Sequence, residues 1–237
     1  MLSNENSIPK SNKGASPLEP EAPPFNKLAS DYDAWFEREG KLIFNIEVRA
    51  FQEILPLLPK PWLEIGVGSG RFARALGIET GIDPSLELLN IAKSRGITTI
   101  QGKGEEELFK EESFGTVFLI VTLCFADSPE AVLREAQRIL TPDGKVVLGL
   151  VLKESPWGEF YGQKKQEGHR FYRYATLFSY DEVVRLLVKA GFVTERTIST
   201  LFQKPDKVHR MEEPRGGYSP NAGFTIVVGA KRDGEMR

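Results

Sequence analysis

Three glycines at alternate positions are the residues with the clearest chemical meaning in this sequence. Gly66, Gly68 and Gly70 follow the apolar run 62–65 and precede a predicted helix that begins at Arg71. A glycine turn between a strand and a helix brings bare backbone close to a ligand and points the helix N-terminus at it. The pattern predicts a nucleotide-cofactor site at the carboxyl end of a buried strand.

The residues around these glycines indicate which cofactor to expect. The dinucleotide fingerprint requires its third glycine at position 71, where this chain has Arg71, and this disfavours NAD(P). Glu64 stands two residues before the first glycine, and a carboxylate in an apolar run must be hydrogen-bonded somewhere. A tight strand–helix turn without any ligand remains the alternative for the glycines taken alone.

An acidic residue, Asp83, closes the second predicted strand, and Ser85 can cap the helix that follows. A carboxylate at this position can accept hydrogen bonds from both hydroxyl groups of a ribose. A structural aspartate in the turn before Pro84 is the alternative. Its position after the glycine motif favours the ribose contact.

Together these motifs resemble those of the class I S-adenosylmethionine-dependent methyltransferases. In that family the glycine loop packs against the methionine and ribose of the cofactor, and the first acidic residue braces the loop. The resemblance covers roughly residues 25–230. Within the family, the sequence is similar to the small-molecule group that includes the ubiquinone/menaquinone-type methyltransferases. It implies S-adenosyl-L-methionine as cofactor and S-adenosyl-L-homocysteine as product.

The resemblance also implies a set of cofactor-binding residues, drawn from five segments of the chain. They are Tyr32 in an N-terminal aromatic helix, Glu64, Gly66, Gly68 and Gly70 in the loop, Asp83 and Pro84, Gly104 and Glu105 after the third strand, and Thr122 after the fourth. Lys103 stands where the family usually has Asp, so it is not included in the site.

An aromatic segment, residues 157–178, follows the fifth predicted strand. It carries seven aromatic side chains interleaved with basic ones. In a sheet of this kind the segment lies beside the cofactor cleft, which predicts a lid over the acceptor. Core packing explains about half of these aromatics equally well. The sequence assigns no catalytic residue, and the candidate bases in falling order are Asp127, Tyr172 and His169.

Strand and helix patterns alternate along the chain. The predicted strands are 62–65, a second ending at 83, 97–101, 114–121, 145–152, 192–202 and 222–230; the predicted helices are 25–36, 42–58, one from 71, 86–95, one from 129, and 180–190. This predicts an α/β fold with a seven-stranded, mostly parallel, Rossmann-like methyltransferase sheet, helices on both faces, N-terminal helices and a lid segment after strand five. Residues 1–24, with five prolines, predict a disordered tail, which leaves 25–237 as one methyltransferase domain.

Bulk composition narrows the function classes. A chain of 237 residues with 41% hydrophobic content suits one domain, and its net charge of −2 gives no reason to expect nucleic acid. One cysteine and two histidines offer no metal-ligand cluster, and the lone cysteine fits a reducing cytoplasm. No apolar run reaches the length of a membrane span.

The expected function is therefore methyl transfer by in-line displacement to a small-molecule acceptor that is partly apolar or aromatic. A non-catalytic S-adenosylmethionine-binding module, an RNA or protein methyltransferase and a nicotinamide-dependent oxidoreductase are the alternatives. Residues 122–125 lack the Asn/Asp-Pro-Pro-Tyr pattern of enzymes that methylate exocyclic amines of bases. The sequence leaves the acceptor atom and the oligomeric state open.

Overall fold

The computed structural model of the chain describes residues 33–34, 37–38, 40–169 and 172–232. The predicted tail, Tyr32 and most of the predicted helix 25–36 lie outside the described residues. Asp33, Ala34 and Glu37 are described and are helical.

Within the described residues, one mixed sheet of eight strands forms the centre of the fold. The strands are β1 (Trp62–Ile65), β2 (Thr80–Asp83), β3 (Thr98–Gln101), β4 (Phe114–Ile120), β5 (Leu140–Leu150), β6 (Phe192–Thr200), β7 (Arg215–Gly216) and β8 (Phe224–Lys231). Their order in space is β3-β2-β1-β4-β5-β8-β6-β7. Strands β1 to β5 pair in parallel, whereas β8 runs antiparallel to both β5 and β6. The predicted α/β class is confirmed.

Six α-helices are described around this sheet. They are α1 (Lys41–Gln52), α2 (Arg71–Leu76), α3 (Leu86–Ser94), α4 (Pro129–Ile139), α5 (Pro156–Gln166) and α6 (Tyr180–Lys189). Helices α3 to α6 each begin after a serine whose hydroxyl oxygen accepts a backbone amide of the first turn. Such N-caps typically stabilise a helix by about 1 kcal/mol, so local sequence sets where these helices start.

Two apolar cores lie on opposite faces of the sheet, and β4 contributes to both. Phe118 and Ile120 belong to the core beneath α1 and α2, while Val117 and Leu119 belong to the core beneath α4 and α6. Successive side chains of a strand point to opposite faces. A strand covered on both faces is therefore apolar on both, as residues 117–120 of β4 are.

Two details of the predicted fold are wrong. The predicted seven-stranded sheet has an eighth strand, β7, which lies in the long predicted loop 203–221 and pairs with Ile198 and Ser199 of β6. The helix predicted over 42–58 ends at Gln52 and is followed by a short 3₁₀ turn that contains Pro56. Pro56 lacks an amide N–H and its ring would clash with the carbonyl of Gln52, so the α-helix cannot continue.

The parallel arrangement decides where the functional residues meet. β1, β2 and β4 point the same way, so their carboxyl ends lie at one edge of the sheet. The glycine loop follows β1, Asp83 closes β2 and Thr122 follows β4 at this edge.

Phe51 provides a test of how α1 is attached to the sheet. Its ring is fully buried and makes edge contacts with Phe72 and Phe224, at centroid distances of 6.0 and 5.9 Å. We expect Phe51→Ala to lower the free energy of unfolding by about 3–5 kcal/mol because it leaves a cavity. Leu57→Ala, at a side chain that is 56% exposed, should change it by less than about 0.5 kcal/mol. Equal losses in urea denaturation would contradict this account of the core.

Candidate active site

Three glycines in left-handed conformation turn the loop between β1 and α2. Gly66, Gly68 and Gly70 have φ angles of 73°, 52° and 77°. A Cβ atom at Gly66 would lie 2.3 Å from Cγ2 of Thr122, whereas one at Gly68 would meet nothing within 4 Å. Packing therefore requires glycine at position 66, and the backbone at position 68 borders open space that a ligand can enter.

The loop is tied to the end of β2. The amides of Gly66 and Val67 both donate to the carbonyl oxygen of Ile82, at 2.8 and 2.9 Å. The carboxylate of Asp83 accepts the Gly68 amide at 3.0 Å and the Ser85 amide at 2.8 Å. Asp83 thus fastens the loop in addition to its predicted ribose contact, for which each carboxylate oxygen retains a further lone pair. Burial raises the pKa of Asp83, although the two amide hydrogen bonds act in the opposite direction.

Glu64 lies beneath the loop and is 2% exposed. The backbone of Ala73 in α2 forms a hydrogen bond with its carboxyl group, while Oε2 is buried with no hydrogen-bond partner among the described residues. Burial, with a contribution from nearby Asp83, raises the pKa of Glu64 well above its usual range. A buried acceptor without a donor beside a glycine loop fits a ligand that brings its own hydrogen-bond donor.

The structure brings the remaining predicted cofactor residues to the same edge, with roles that are partly structural. A Cβ atom at Gly104 would lie 2.6 Å from Cγ2 of Ile65, so this backbone rests directly on the end of β1. Glu105 accepts the Ser128 amide at 3.1 Å, at the start of α4. Thr122 donates its hydroxyl to the carbonyl of Ile120 at 3.0 Å, and Pro84 directly follows Asp83.

Sequence analysis missed an ion-pair network around Asp33. Its carboxylate accepts Oγ of Ser69 at 2.6 Å, Nε of Arg71 at 2.7 Å and Nη2 of Arg95 at 2.8 Å. Burial by itself would raise the pKa of Asp33, but these three hydrogen bonds together hold it well below its usual range. Arg71 also pairs with Glu37 at 2.7 Å. The network joins the N-terminal segment to the glycine loop and to the end of α3.

The aromatic segment lies against the turn that follows β4. The rings of Tyr161 and Tyr172 stack with centroids 4.2 Å apart, and His169 stacks on Tyr172 at 4.9 Å. The amide of Thr176 donates to the carbonyl of Cys124 at 2.8 Å. Burial raises the pKa of Tyr172 to about 12, as it does for the Cys124 thiol, so both groups are neutral at pH 7.

The three candidate bases lie in different surroundings. Asp127 has an exposed side chain that pairs with Lys103 at 2.7 Å. Tyr172 is held as a neutral phenol, which suits a hydrogen-bond donor better than a base. His169 packs on Tyr172 within the aromatic cluster.

Sequence analysis also missed Glu47, a carboxyl group on the buried face of α1. It is only 8% exposed, and burial raises its pKa to about 8. Tyr161, on which Tyr172 stacks, packs against the core that contains Ile43, Ile46 and Ala50 of the same helix. The available signal was the helical pattern itself, because Glu47 falls on the same face as Ile43, Ile46 and Ala50.

Two other depressions lie away from this edge. One, of about 410 Å³, lies beside β6 and includes Tyr180 and Tyr218; the other, of about 560 Å³, lies between residues 56–59 and 142–145. Neither is lined by a residue of the glycine loop. Across the described ranges, no three His, Cys, Asp or Glu side chains form a group that could hold a metal ion.

This strand order, with a glycine turn after β1 and an acidic residue that closes β2, defines a class of protein. It is the class of Rossmann-like α/β proteins that bind a nucleoside-containing cofactor at the carboxyl edge of the sheet. A family model described as a methyltransferase domain matches residues 63–148.

Relatives extend this match over most of the chain. An uncharacterised protein of Methanocaldococcus jannaschii is 38% identical over 207 residues, which cover 87% of this chain and 98% of that protein. A Thermotoga maritima structure, described as a S-adenosylmethionine-dependent methyltransferase and possible histamine N-methyltransferase, is 35% identical with a TM-score of 0.82, over 88% and 98% of the two chains. The chain belongs to the S-adenosylmethionine-dependent methyltransferases, and S-adenosylmethionine is its cofactor.

A more distant structure shares the fold alone. It is a Haloferax volcanii protein solved in complex with the Trm112 methyltransferase activator, 19% identical with a TM-score of 0.64, over 88% of this chain and 98% of that one.

Asp83→Ala tests the attachment of the loop to β2. We expect affinity for S-adenosylhomocysteine to fall roughly ten- to a hundredfold, because the variant loses both the predicted ribose acceptor and the acceptor of the Gly68 amide. Asp127→Ala removes an exposed carboxylate from the same edge and should leave affinity unchanged. Titration calorimetry on both folded variants measures the difference, and equal affinities would reduce Asp83 to a turn residue.

Asp33→Asn tests the ion-pair network. The variant leaves Arg71 and Arg95 without their shared carboxylate, so we expect stability at pH 7 to fall by roughly 1–3 kcal/mol. Because the folded-state pKa of Asp33 is lowered, its contribution is present above the unfolded pKa of about 3.9 and is lost as the pH falls further. The gap between wild type and variant in urea denaturation should therefore narrow below about pH 4. A gap independent of pH would argue against an ionised Asp33, and Glu37→Gln at the exposed edge of the network is the control.

Proposed function

We propose that this methyltransferase acts on a small molecule bound between the glycine loop and the aromatic segment. The observation that carries the proposal is the stacked pair Tyr161 and Tyr172, which lies against the turn after β4. That turn begins with Thr122, whose side chain contacts Gly66 of the glycine loop. Aromatic side chains beside a cofactor suit a compact acceptor with apolar surface.

The residues of this chain form two sites, one for the cofactor and one for the acceptor. Those that would hold the cofactor are the predicted set, whose described members are Glu64, Gly66, Gly68, Gly70, Asp83, Pro84, Gly104, Glu105 and Thr122; Tyr32, also predicted, lies outside the described residues. When bound, S-adenosylmethionine supplies a methyl group on a positively charged sulfur, which a lone pair can displace in line. The aromatic segment then has to orient the acceptor and exclude water, which is the main protein contribution to such a transfer.

Two chemical classes are candidates for the acceptor. The description of the Thermotoga maritima protein as a possible histamine N-methyltransferase supports a small amine. The sequence resemblance to the ubiquinone/menaquinone-type C-methyltransferases favours a carbon nucleophile instead. Either acceptor is partly apolar, as the stacked tyrosines require.

We further propose a cytoplasmic location, supported by the single cysteine of the sequence. No described helix is both long and apolar enough to cross a membrane.

A library screen with S-adenosylhomocysteine release as the readout tests the proposed function. The library contains amines, phenols, thiols and quinols, and the controls are total RNA and a protein extract. We expect turnover with at least one small molecule. Turnover on RNA or protein alone would overturn the proposal, and cofactor binding without any turnover would favour a non-catalytic module.

Tyr172→Ala tests the acceptor side of the cleft. We expect it to lower kcat/KM for the acceptor found in the screen by about tenfold or more, since it removes the stacking partner of Tyr161 and His169. Affinity for S-adenosylmethionine should stay within about twofold. Tyr174→Ala is the control, because its side chain is 43% exposed and lies in the same short 3₁₀ turn, Tyr172–Tyr174. Unchanged turnover in Tyr172→Ala would show that Tyr172 packs in the core and does not contact the acceptor.

A further inference from the structure

Glu47 is a buried carboxyl group with no counter-charge among the described residues. It is 8% exposed, and none of the described residues forms an ion pair or a hydrogen bond with its side chain. Burial of an ionised carboxylate without a partner is costly, and a structural role does not require it here, because the neighbouring positions Ile43, Ile46 and Ala50 are apolar. A buried group of this kind is expected where a ligand supplies the missing charge.

The surroundings of Glu47 belong to the acceptor side of the cleft. Tyr172 stacks on Tyr161, which packs against the core that contains Ile43, Ile46 and Ala50 of α1. The aromatic segment is also joined to the turn after β4 by the hydrogen bond from the Thr176 amide to the Cys124 carbonyl. α1, the aromatic segment and this turn therefore lie next to one another. Tyr172 and Cys124 stay neutral at pH 7, because burial raises the pKa of each to about 12.

The described elements packed against α1 bring no ion-pair partner for Glu47. α2, β6 and β8 contact α1, and they carry Arg71, Arg74, Glu195, Arg196 and Lys231. None of these side chains forms an ion pair with Glu47, whose pKa is raised by burial. Arg71 is instead engaged by Asp33 and Glu37.

We propose that Glu47 binds the ammonium group of an amine acceptor and takes a proton from it before methyl transfer. This inference rests on the proposed function, since it names the acceptor class of the same cleft. In the step, an N–H bond of the ammonium breaks and its electron pair stays on nitrogen as the lone pair that a nucleophile needs. An O–H bond forms on the Glu47 carboxylate, and an ion pair becomes two neutral groups.

The physical setting favours this proton transfer. In water an alkylammonium does not give its proton to a carboxylate, but a buried, poorly solvated site weakens the ion pair and so lowers the free-energy cost of forming the two neutral groups. A carboxyl group whose pKa is about 8 is also close to the value that suits a general base near neutral pH. The faces of Tyr161 and Tyr172 add a surface that attracts cations.

The same features discriminate against other acceptors. A phenol, thiol or quinol brings no positive charge to pair with Glu47, and a carboxylate would be repelled by it. The favoured acceptor is therefore an amine on a short linker to an apolar or aromatic group. 2-Phenylethylamine and histamine are suitable probes, and 2-phenylethanol is the uncharged counterpart of the first.

Infrared difference spectroscopy tests the binding part of the proposal without relying on turnover. We expect the wild type, loaded with S-adenosylhomocysteine, to contain a carboxyl group that ionises near pH 8 and that is missing from Glu47→Gln. At least one amine probe should shift this ionisation to lower pH, because the ammonium stabilises the carboxylate, and 2-phenylethanol should not. Wild-type spectra with and without probe carry this test even if the variant does not fold. A carboxyl group that no amine in the screening library shifts would overturn the proposal.

Kinetics test the proton-transfer part. With an amine found in the screen, we expect Glu47→Gln to lower kcat/KM at pH 7 by roughly 10²- to 10⁴-fold. Much of this loss should be recovered at high pH, where free amine is available from solution. Glu53→Gln, an exposed carboxyl on the same chain segment, should leave kcat/KM unchanged. Wild-type rates for Glu47→Gln would overturn the proposal.

The screen separates failure of this inference from failure of the proposed function. Turnover confined to phenols, thiols or quinols would refute the role of Glu47 and leave small-molecule methyl transfer intact. Turnover confined to RNA or protein would refute both. Methylation of amines that depends on Glu47 supports both.

Discussion

Two amides that share the carbonyl of Ile82 hold the glycine loop in place, and much of the site depends on them. The hydrogen bonds from Gly66 and Val67 exist because β1 and β2 run parallel and end at the same level. The loop then passes close enough to β2 for Asp83 to reach the Gly68 amide. Close approach also demands small residues, since side chains at Gly66 and Gly104 would collide with Thr122 and Ile65.

The charges around this loop fall into two groups with opposite energetics. Asp33 is paired with two arginines and a serine, so its ionised form is stabilised and the N-terminal segment is tied to the loop. Glu64 and Glu47 are buried without such partners, and their neutral forms are favoured. The first arrangement stabilises the fold, whereas the second is costly unless a ligand brings donors or positive charge.

Arg71 is informative both in the sequence and in the structure. In the sequence it stands where a dinucleotide site needs glycine, so it excludes a cofactor class. In the structure its guanidinium joins Asp33 and Glu37, 38 and 34 positions away in the chain. A planar guanidinium with several donors suits this bridging between a helix and a loop. The residue that disfavours NAD(P) therefore also connects the segment containing Asp33 to the glycine loop.

The amino-acid sequence by itself determined the α/β class, the glycine loop, the closing acidic residue of β2 and the family, because these depend on local patterns and on their order along the chain. Alternation of apolar runs, serine caps and glycines sets strands, helix starts and turns without reference to distant residues. Only the tertiary structure decided which charged residues act together. Asp33, Arg71 and Arg95 are far apart in the chain, and no local pattern specifies their contacts. The same holds for β7, whose two residues form a strand only because the edge of β6 lies beside them. Pairing and burial of charges depend on three-dimensional proximity, which the order of residues along the chain does not reveal.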